Sequence, residues 1–446
     1  MSRTDITYFI LGKKYGFNLK KMLDFVNESQ YWDEERIYNY QLIKLKKLIT
    51  HIYYSVPFYH NIMKNIGMQP EDFRELKDLK EFPVITKQTI RDNFKLFLAD
   101  DFKKYNPIQR STGGTTGIPF KYYNDSYSWA LNWTTKIRTF SWGHYNFGKD
   151  TIALLKGGSM IRNGKYSLKT YIWNYLNNSY TIPIMNLTDD LMDFYFMNIK
   201  KKNIKYLRGY PSSIFTFATH LKNKSISYPM KGIFTTAEML FPYQRKVIEH
   251  VFDTGIIDCY GCGDGMAGAN QCEQKNKYHI NIETCYMEIL LPDNNQEAKP
   301  GEEGKIVTTS LYDYAMPFIR YDTGDMAIQG NGYCSCGKRL PLLDKIIGRE
   351  SDLFVLANGR ILNGLSIPFE NWDDKIEKFQ LIQEEQDFII LKLVPTRNFQ
   401  EKDEKQIMDL LKHNAGNGIR VKIEKVKSLE QTSAGKFKYI ISKVNK

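Results

Sequence analysis

The segment from Ser111 to Pro119 has residue types that fit a definite chemical task. It reads Ser-Thr-Gly-Gly-Thr-Thr-Gly-Ile-Pro, so glycines and hydroxyl-bearing residues follow one another. Glycine lets the backbone approach an anion closely, while hydroxyls and free N–H groups can point at phosphate oxygens. It is not a Walker A loop, because no Lys-Ser/Thr pair follows at the required spacing. The segment therefore predicts a phosphate-binding loop, and a polar surface loop without a ligand is the alternative.

Four residues with metal-ligand chemistry form a second set. Six residues separate Cys272 from His279. Cys334 follows 55 positions after His279, and Cys336 comes two positions later. Three thiolates and one imidazole suit a closed tetrahedral Zn²⁺ site. A structural zinc here would tie the loop after residue 264 to the loop after residue 325. Buried free cysteines with a surface histidine are the alternative, and the spacing does not decide between the two.

The other three cysteines do not suggest a catalytic thiol. Cys259 and Cys285 lie in strand-like runs and are expected in the core, while Cys262 is expected as a metal ligand or in a pocket wall. No histidine or acid partner is identifiable near them in sequence, so a nucleophilic cysteine is not expected. Six cysteines in 446 residues are too few for a disulfide framework, which indicates a reducing compartment.

The elements that must position these residues alternate between strand and helix from residue 150 onward. The strand-like runs end in Gly, Pro or small polar residues, and helical stretches separate several of them. Such alternation predicts βαβ units and a parallel sheet, whose ligand-binding loops lie at the strand C-termini. The strand-like runs are 151–158, 203–211, 231–238 and 256–261, and the intervening helical stretches include 210–224 and 243–252.

The two ends of the chain have a different texture. The first hundred residues are predicted to be mostly helical, with an apolar stripe along 38–56. Beyond residue 285 strands dominate, and a compact α+β unit follows the segment 348–352. The predicted fold class is α/β. A large domain at 1–348, with mixed and parallel sheets flanked by helices, precedes a small α+β lid domain at 349–446.

Composition and charge exclude several classes of protein. The chain has 446 residues, of which 42% are hydrophobic and 25% charged, as in an ordinary folded protein. Its net charge is +12, but the basic residues are spread along the chain, so no nucleic-acid partner is expected. No run of 18 apolar residues and no secretory leader is present, so neither a membrane span nor export is expected. We expect a cytoplasmic protein.

Several segments together resemble the motifs of adenylate-forming enzymes, the superfamily of acyl-CoA synthetases, adenylation domains and luciferases. The segment from Ser111 to Pro119 resembles their Ser/Thr-Ser-Gly-Thr-Thr-Gly-Lys-Pro loop. A short segment such as Gly-Asp or Gly-Lys usually does no more than close a turn, so each match alone is weak. Six matches in the family's order over residues 111–436 make the resemblance specific. The others are Thr236-Ala237-Glu238, Tyr260-Gly261-Cys262-Gly263-Asp264, Tyr321-Asp322-Thr323-Gly324-Asp325, Gly348-Arg349-Glu350-Ser351-Asp352 and Ser433-Ala434-Gly435-Lys436.

Within the superfamily, the chain is most similar to phenylacetate–CoA ligases and their relatives encoded with capsule or surface-polysaccharide genes. The segments 208–213, 314–321 and 334–337 carry this likeness. Some of these relatives also resemble the Cys/His arrangement, which favours zinc. The resemblance covers nearly the whole chain, although the helical first hundred residues match only in general character.

The resemblance implies a role for each motif. Lys436 would be the catalytic lysine of adenylation, Asp325 would accept from the ribose hydroxyls, and Asp264 would reach Mg²⁺. The hinge between the domains would be Arg349, Ser351 and Asp352, and the acyl pocket would include Tyr210, Pro211 and Thr235, with Phe140 and Trp142 as further candidates. The nucleotide-binding residues would be Ser111, Thr112, Gly113, Gly114, Thr115, Thr116, Gly117, Ala237, Glu238, Tyr260, Gly261, Asp325 and Arg349.

The sequence departs from the family pattern at four positions. Gly113 stands where the loop has its second Ser, and Ile118 replaces the loop's Lys, which removes a cation near the phosphates. Asp264 stands where the family usually has Glu and is one methylene shorter, so a metal contact would need a backbone shift or a bridging water. Ser351 replaces the first Asp of the hinge, so domain rotation could be tuned differently.

The expected function is therefore ATP-dependent activation of a carboxylic acid. An acyl-adenylate forms, and a thiol, most simply that of CoA, takes the acyl group. The alternative acceptor is an amine or amino sugar in surface-polysaccharide biosynthesis. Two other classes remain: a pseudoenzyme that binds nucleotide without chemistry, and a zinc-bearing protein that binds nucleic acid. The sequence does not fix the acid, the acceptor or the oligomeric state, and a homodimer is among the states it allows.

Overall fold

The structure is a computed structural model. It describes residues 6, 9, 12–13 and 16–446, apart from 113–119, 157–160, 163–164, 167, 185–187, 275–276, 350–352, 357–360, 364–374, 416–417, 430–437 and 445–446. Within these described ranges, no helix is both long enough and apolar enough to cross a bilayer.

The N-terminal region is helical, as the sequence pattern predicts. Its longest helix begins after Asp33, whose side chain accepts a hydrogen bond from the N–H of Arg36, as expected of a helix N-cap. It ends before Pro57, because a proline disfavours helical backbone in the residue before it and suits the first position of a new helix. The helices are α1 (Leu19–Ser29), α2 (Glu34–Ser55), α3 (Pro57–Ile66) and α4 (Lys87–Asp92), and 3-10 turns occupy Pro70–Asp72, Leu76–Glu81, Phe94–Phe97 and Phe102–Tyr105.

A hairpin leads from this region into the main sheet. Strands β1 (Pro107–Thr112) and β2 (Phe120–Asp125) pair antiparallel, with Thr112 opposite Phe120. Helix α5 (Ser126–Trp142) follows directly and is buried over most of its surface. Its Arg138 is buried and ion-paired with Glu283. This ion pair fixes α5 to the short connection between the strands Tyr278–Ile280 and Cys285–Leu290.

The centre of the molecule is an 11-stranded sheet. Strands β6, β3, β7, β8 and β9 run parallel, and the remaining strands extend the sheet antiparallel from β9. The strand order is β12-β13-β14-β15-β11-β10-β9-β8-β7-β3-β6. The elements of this region, with one small hairpin, are β3 (Ile152–Lys156), β4 (Ile161–Arg162), β5 (Lys165–Tyr166), α6 (Leu168–Leu176), β6 (Ser179–Pro183), α7 (Asp189–Lys201), β7 (Tyr206–Gly209), α8 (Pro211–Asn223), β8 (Gly232–Thr236), α9 (Pro242–Phe252), β9 (Ile256–Cys262), β10 (Ala267–Gln271), β11 (Tyr278–Ile280), β12 (Cys285–Leu290), β13 (Glu303–Ser310), β14 (Tyr321–Gln329) and β15 (Leu342–Arg349).

The C-terminal part has its own four-stranded sheet, in the order β20-β19-β18-β21. Ile407 and Leu411 of the helix that precedes β20 are fully buried in its core. The sheet meets the large part at the start of α9, where Gln244 Nε2 donates to the Tyr439 hydroxyl at 2.7 Å. The elements are β16 (Leu353–Val355), β17 (Ile361–Asn363), β18 (Ile376–Glu385), β19 (Phe388–Pro395), α10 (Glu401–Ala415), β20 (Arg420–Lys425) and β21 (Ile440–Ser442).

The predicted fold class is confirmed, including the parallel βαβ units and the α+β C-terminal part. Two details differ from the sequence pattern. The Gly-Glu-Glu-Gly-Lys segment 301–305 predicts a turn between two strands, but β13 already begins at Glu303, so the segment is only partly a turn. The sequence pattern predicts three strands and a helix in the C-terminal unit and no strand in its tail. The tail nevertheless supplies β21, which pairs parallel with β18 although only three residues take part.

Candidate active site and metal cluster

Three of the motif segments start at one edge of the sheet. Because β7, β8 and β9 are parallel neighbours, the residues that follow their C-terminal ends emerge side by side. The backbone N–H of Ser212, after β7, donates to Glu238 Oε2, after β8, at 3.1 Å. Ala237, directly before Glu238, has φ of +67°, a left-handed conformation that costs a non-glycine residue energy. Such strain is found at sites where the surrounding structure must hold the backbone in place.

Tyr260, Asp325 and Arg349 come together beside this edge. The Tyr260 hydroxyl donates to Asp325 Oδ2 at 2.9 Å, and Arg349 Nε lies 3.7 Å from Asp325 Oδ1. The sheet register accounts for the second contact, since Asp325 of β14 is the direct partner of Arg349 of β15. Burial raises the pKa of Asp325, and the Arg349 guanidinium opposes that shift. The arrangement provides a carboxylate acceptor next to a cation, and a charged acceptor forms strong hydrogen bonds with hydroxyl donors.

Asp264 is buried and already has several partners. The Tyr321 hydroxyl donates to its Oδ2 at 2.6 Å and the Cys262 thiol to its Oδ1 at 2.7 Å. Lys87 Nζ lies 3.5 Å from Oδ2 and also donates to the carbonyl of Thr323 at 3.3 Å. Both carboxylate oxygens thus accept from donors and an ammonium lies beside one of them. Each oxygen keeps a further lone pair, so a Mg²⁺ contact of Asp264 stays a prediction.

Lys87 is a site residue that the sequence motifs do not reveal. It opens α4, after Thr86 caps the helix by accepting from the N–H of Thr89 at 3.2 Å. A lysine is unfavourable in the first turn of a helix, because the helix dipole places positive partial charge there. That mismatch is the signal that could have pointed to an anionic partner. Backbone bonds between Ile85 and the start of β14 hold the segment in position.

Other predicted residues lie at the margin of the described chain. Ser111 is at the end of β1 and exposed, opposite Lys121. Gly261 is in β9, beside Tyr260. The remainder of the predicted phosphate loop, from Gly113 to Gly117, the hinge residues Ser351 and Asp352 and the lysine Lys436 fall outside the described residues.

A cavity of about 80 Å³ lies against the ends of β7, β8 and β9. Phe140 lines it, as do Thr236 and the backbone run from Cys259 to Gly263. The predicted pocket residues Tyr210, Pro211 and Thr235 do not line this cavity. Thr235 instead donates to Asp258 Oδ1 at 2.6 Å within the core. Trp142 packs against the ring of His279, at 5.5 Å between centroids, and so belongs to the metal-ligand cluster.

The four predicted metal ligands converge. The ligand atoms of Cys272, His279, Cys334 and Cys336 all lie within 4.8 Å of one another. Cys272 Sγ is 3.6 Å from Cys334 Sγ, and Cys336 Sγ is 3.5 Å from His279 Nε2. A tetrahedral zinc would hold such ligand atoms roughly 3.6–3.8 Å apart, given its usual bond lengths to sulfur and nitrogen. The donor set and its spacing therefore fit a zinc ion.

The remaining cysteines are placed as structural residues. Cys285 is buried, and burial raises its pKa to about 12, so it stays a thiol. Cys262 is outside the metal-ligand cluster; it donates to Asp264 and lines the cavity. Cys259 is half-buried, packs against the apolar core that includes Phe234 and Ile257, as expected, and also lines the same cavity.

Comparison with known proteins agrees with this geometry. Residues 355–443 match the family model described as the CapK C-terminal domain. The chain is 24% identical to the phenylacetate–coenzyme A ligase of Thermus thermophilus over 72% of each chain, and 27% identical to that of Escherichia coli over 76% of each. It is 22% identical to Protein CapK of Staphylococcus aureus, covering 92% of this chain and 90% of that protein.

Solved structures show the same fold. A 2-hydroxyisobutyryl-CoA ligase in the postadenylation state, in complex with an acyl-AMP, superposes with a TM-score of 0.74 at 18% identity, covering 92% of this chain and 90% of that one. The same ligase in its thioesterification state gives 0.61. The resemblance drawn from the motifs is thus confirmed: the homologues are named phenylacetate–CoA ligase and CapK, and the structural neighbours are acyl-CoA ligases of the adenylate-forming superfamily.

Proposed function

We propose that this chain activates a carboxylic acid with ATP and transfers the acyl group to coenzyme A. A carboxylate oxygen attacks the α-phosphorus of ATP, a new oxygen–phosphorus bond forms, and the bond to the β-phosphate breaks with release of pyrophosphate. The sulfur of coenzyme A then attacks the acyl carbon, and AMP leaves with the carboxylate oxygen as the thiol gives up its proton.

The observation that carries the proposal is the convergence of Tyr260, Asp325 and Arg349 at the edge where β7, β8 and β9 end. Three segments separated along the chain supply these side chains. Relatives named as CoA ligases and neighbours that hold acyl-AMP support the assignment of this edge to a nucleotide. Asp325 would accept from the ribose hydroxyls, and Glu238 and Ala237 would lie beside the adenine.

The rest of the machinery follows the motif order. The segment 111–117 would cradle the phosphates, and Lys436 would neutralise charge between the carboxylate and the α-phosphate. A Mg²⁺ ion would neutralise further phosphate charge, but no step depends on its binding directly to Asp264. An enzyme that consumes ATP and coenzyme A is compatible with the cytoplasmic location expected from the sequence.

The domain division belongs to the same proposal. Residues 1–348 would form the large domain and residues 349–446 a lid that swings about Arg349, Ser351 and Asp352. The separate four-stranded sheet and the CapK C-terminal match at 355–443 both support a boundary near residue 350. The contact between Gln244 and Tyr439 would then break and reform as the lid turns.

An amine is the second candidate acceptor. The match to Protein CapK covers 92% of this chain, and residues 355–443 match the CapK C-terminal domain model. This observation favours an acyl-AMP-dependent amide ligase acting on an amine or amino sugar in surface-polysaccharide biosynthesis. The first half-reaction is the same under both readings, so adenylation is tested first.

The test is acid-dependent exchange of labelled pyrophosphate into ATP over a panel of carboxylic acids. Exchange with at least one acid is expected from the full chain, and exchange with none would leave a nucleotide-binding pseudoenzyme as the better description. Product analysis by mass spectrometry, with coenzyme A or amines added, then separates a thioester from an amide.

Zinc is proposed as a structural ion held by Cys272, His279, Cys334 and Cys336. The spacing of the four ligand atoms supports this assignment. The ion would join the end of β10, strand β11 and the loop before β15, and so would brace the strands beside Asp325. It would take no part in the chemistry, because all four coordination positions would be filled by the protein.

A further inference from the structure

Two cations line the cavity at the ends of β7, β8 and β9. Lys136 projects from α5 and Arg208 from β7, and both lie on the cavity wall together with Asn132 and Thr139. Tyr260, which donates to Asp325, lines the same cavity. One wall of the cavity is therefore cationic, and another is shared with the proposed nucleotide site.

Neither cation has an acidic partner in the part of the chain that the structure describes. No hydrogen bond or ion pair joins either side chain to another described residue; the contacts are with aromatic rings. Lys136 Nζ lies 5.4 Å from the ring centroid of Trp133, and Arg208 Cζ lies 5.3 Å from that of Phe140. Aromatic faces stabilise cations only modestly, so these contacts do not replace a counter-ion.

Elsewhere this chain pairs its buried arginines with glutamates. Arg138 is bound to Glu283, and Arg320 to Glu288 at 3.1 Å, with all four side chains buried. Lys136 and Arg208 are half-buried. A charge that is partly removed from water without a partner is costly, and two like charges beside one cavity add mutual repulsion. Burial and the neighbouring Arg208 lower the pKa of Lys136 to about 8. Such an arrangement is stabilised when an anion enters the cavity.

We propose that the carboxylic acid activated by this protein carries a second anionic group, a carboxylate or a phosphate, which Lys136 and Arg208 bind. This inference rests on the proposed function and names its substrate class. The reacting carboxylate itself is a poorer candidate for these cations, because a carboxylate clamped by an ammonium and a guanidinium would lose nucleophilicity. Two positive charges also exceed what one monoanion neutralises.

The size of the cavity adds a limit. At about 80 Å³ it is roughly half of the 150 Å³ that holds benzene in an engineered protein. A short aliphatic chain between the two anionic groups fits this space, whereas a phenyl ring would require the walls to move. The proposed substrate is thus a small dianionic acid rather than an aryl acetate.

The experiment compares acids of nearly equal shape that differ in the second charge. Succinate and succinamate form one pair, glutarate and glutaramate a second, and 3-phosphonopropionate represents the phosphate class. Pyrophosphate exchange by the full chain is expected to favour each dianion over its neutral-ended partner by roughly 10- to 100-fold in kcat/KM, as for hydrogen bonds between charged groups. The phosphonate and the dicarboxylates together identify which anion is preferred.

Variants locate the effect. Arg208→Gln and Lys136→Met are expected to raise KM for the dianion about 10-fold with little change for the monoanion, which a merely structural role would not produce. Arg74→Gln and Lys222→Met, both exposed, are the matched controls and should leave the ratio intact. Thermal unfolding and ATP binding show whether each variant is folded. If a variant does not fold, the ratio of kcat/KM for the dianion to that for its neutral-ended partner, measured in the wild type, still tests the proposal.

A pH profile gives a third readout. The charged and titratable groups that face Lys136 are Arg208, Arg110 and Cys259, and burial keeps the pKa of Cys259 at about 12. Lys136 is therefore the group that loses its charge as pH rises through 8, so KM for the dianion should increase from pH 7 to 9 in the wild type. Lys136→Met should not show this increase.

The outcomes separate the two proposals. Equal activity with dianions and their neutral-ended partners, or an unchanged ratio in Arg208→Gln, would overturn the dianionic substrate while leaving acid activation in place. Exchange with no acid at all would overturn the proposed function and this inference with it.

Discussion

Removal of the metal is the sharpest test of the Cys/His cluster. Replacing Cys336 by serine deletes one ligand of the proposed zinc and, because Cys336 is only half-buried, costs little in packing. We expect purified wild-type protein to contain close to one zinc per chain by elemental analysis, and Cys336→Ser to contain much less. The variant and the chelated wild type should both unfold at a lower temperature.

The expected fall in Tm follows from the length of the loop that the ion would close. Cys272 and Cys334 are 62 residues apart. A cross-link of that span reduces the entropy of the unfolded chain, which stabilises the folded state by about 4 kcal/mol at 25 °C. For a cooperative unit of about 350 residues, the entropy of unfolding converts this into a fall in Tm of about 6 °C. Ligand bonds that persist in the unfolded chain would make the shift smaller.

The control is the chelator applied to the variant. Once a ligand is missing and zinc has gone, the chelator should not lower the Tm of Cys336→Ser further. The metal assignment would be refuted if wild-type protein, expressed with added zinc, contained no zinc after purification and had a Tm that a chelator does not change. Converging thiols would then be an apolar cluster.

Three further substitutions test other contacts. Lys436→Ala should lower acyl-AMP formation by roughly 10²- to 10³-fold, as loss of one transition-state donor does, and leave ATP binding measurable by calorimetry. Lys87→Met should lower the free energy of unfolding by about 2–3 kcal/mol, because Asp264 would stay buried without its cation, and adding Asp264→Asn should recover part of that loss in urea titrations. Arg138→Leu should cost about 3–5 kcal/mol in the same assay by leaving Glu283 buried and unpaired, whereas the double change with Glu283→Leu should cost less than Arg138→Leu alone.

The sequence was sufficient for those parts of the site that follow from topology. Runs of strand and helix in alternation imply parallel strands, and parallel strands bring the residues after their C-termini to one edge. The segments around Ser212 and Glu238 meet for that reason. The convergence of Cys272, His279, Cys334 and Cys336 was also predicted, but the family resemblance rather than the spacing favoured zinc over free thiols.

Other parts depend on pairings that a single sequence does not show. Lys87 meets Asp264 across 264 − 87 = 177 residues, and nothing in either local pattern sets that distance. Lys136 resembles any lysine on a solvated helix face, but α5 is buried on most sides, so its charge points into a cavity. Thr235 was predicted in the pocket from the family resemblance, yet its hydroxyl turns into the core towards Asp258. Strand β21 is too short for any periodicity to be visible.

The net charge of +12 gains a different meaning from these contacts. From composition alone, an excess of basic residues suggests nucleic acid, an anionic surface or an anionic substrate. Arg138 and Arg320 are neutralised within the fold, but Lys136 and Arg208 face a cavity that adjoins the proposed nucleotide site. A protein that binds ATP and a dianionic acid must hold several negative charges in one place, and partnerless cations at that place reduce their repulsion. Under the proposed function, the substrates rather than a surface for a polyanion account for part of the excess of basic residues.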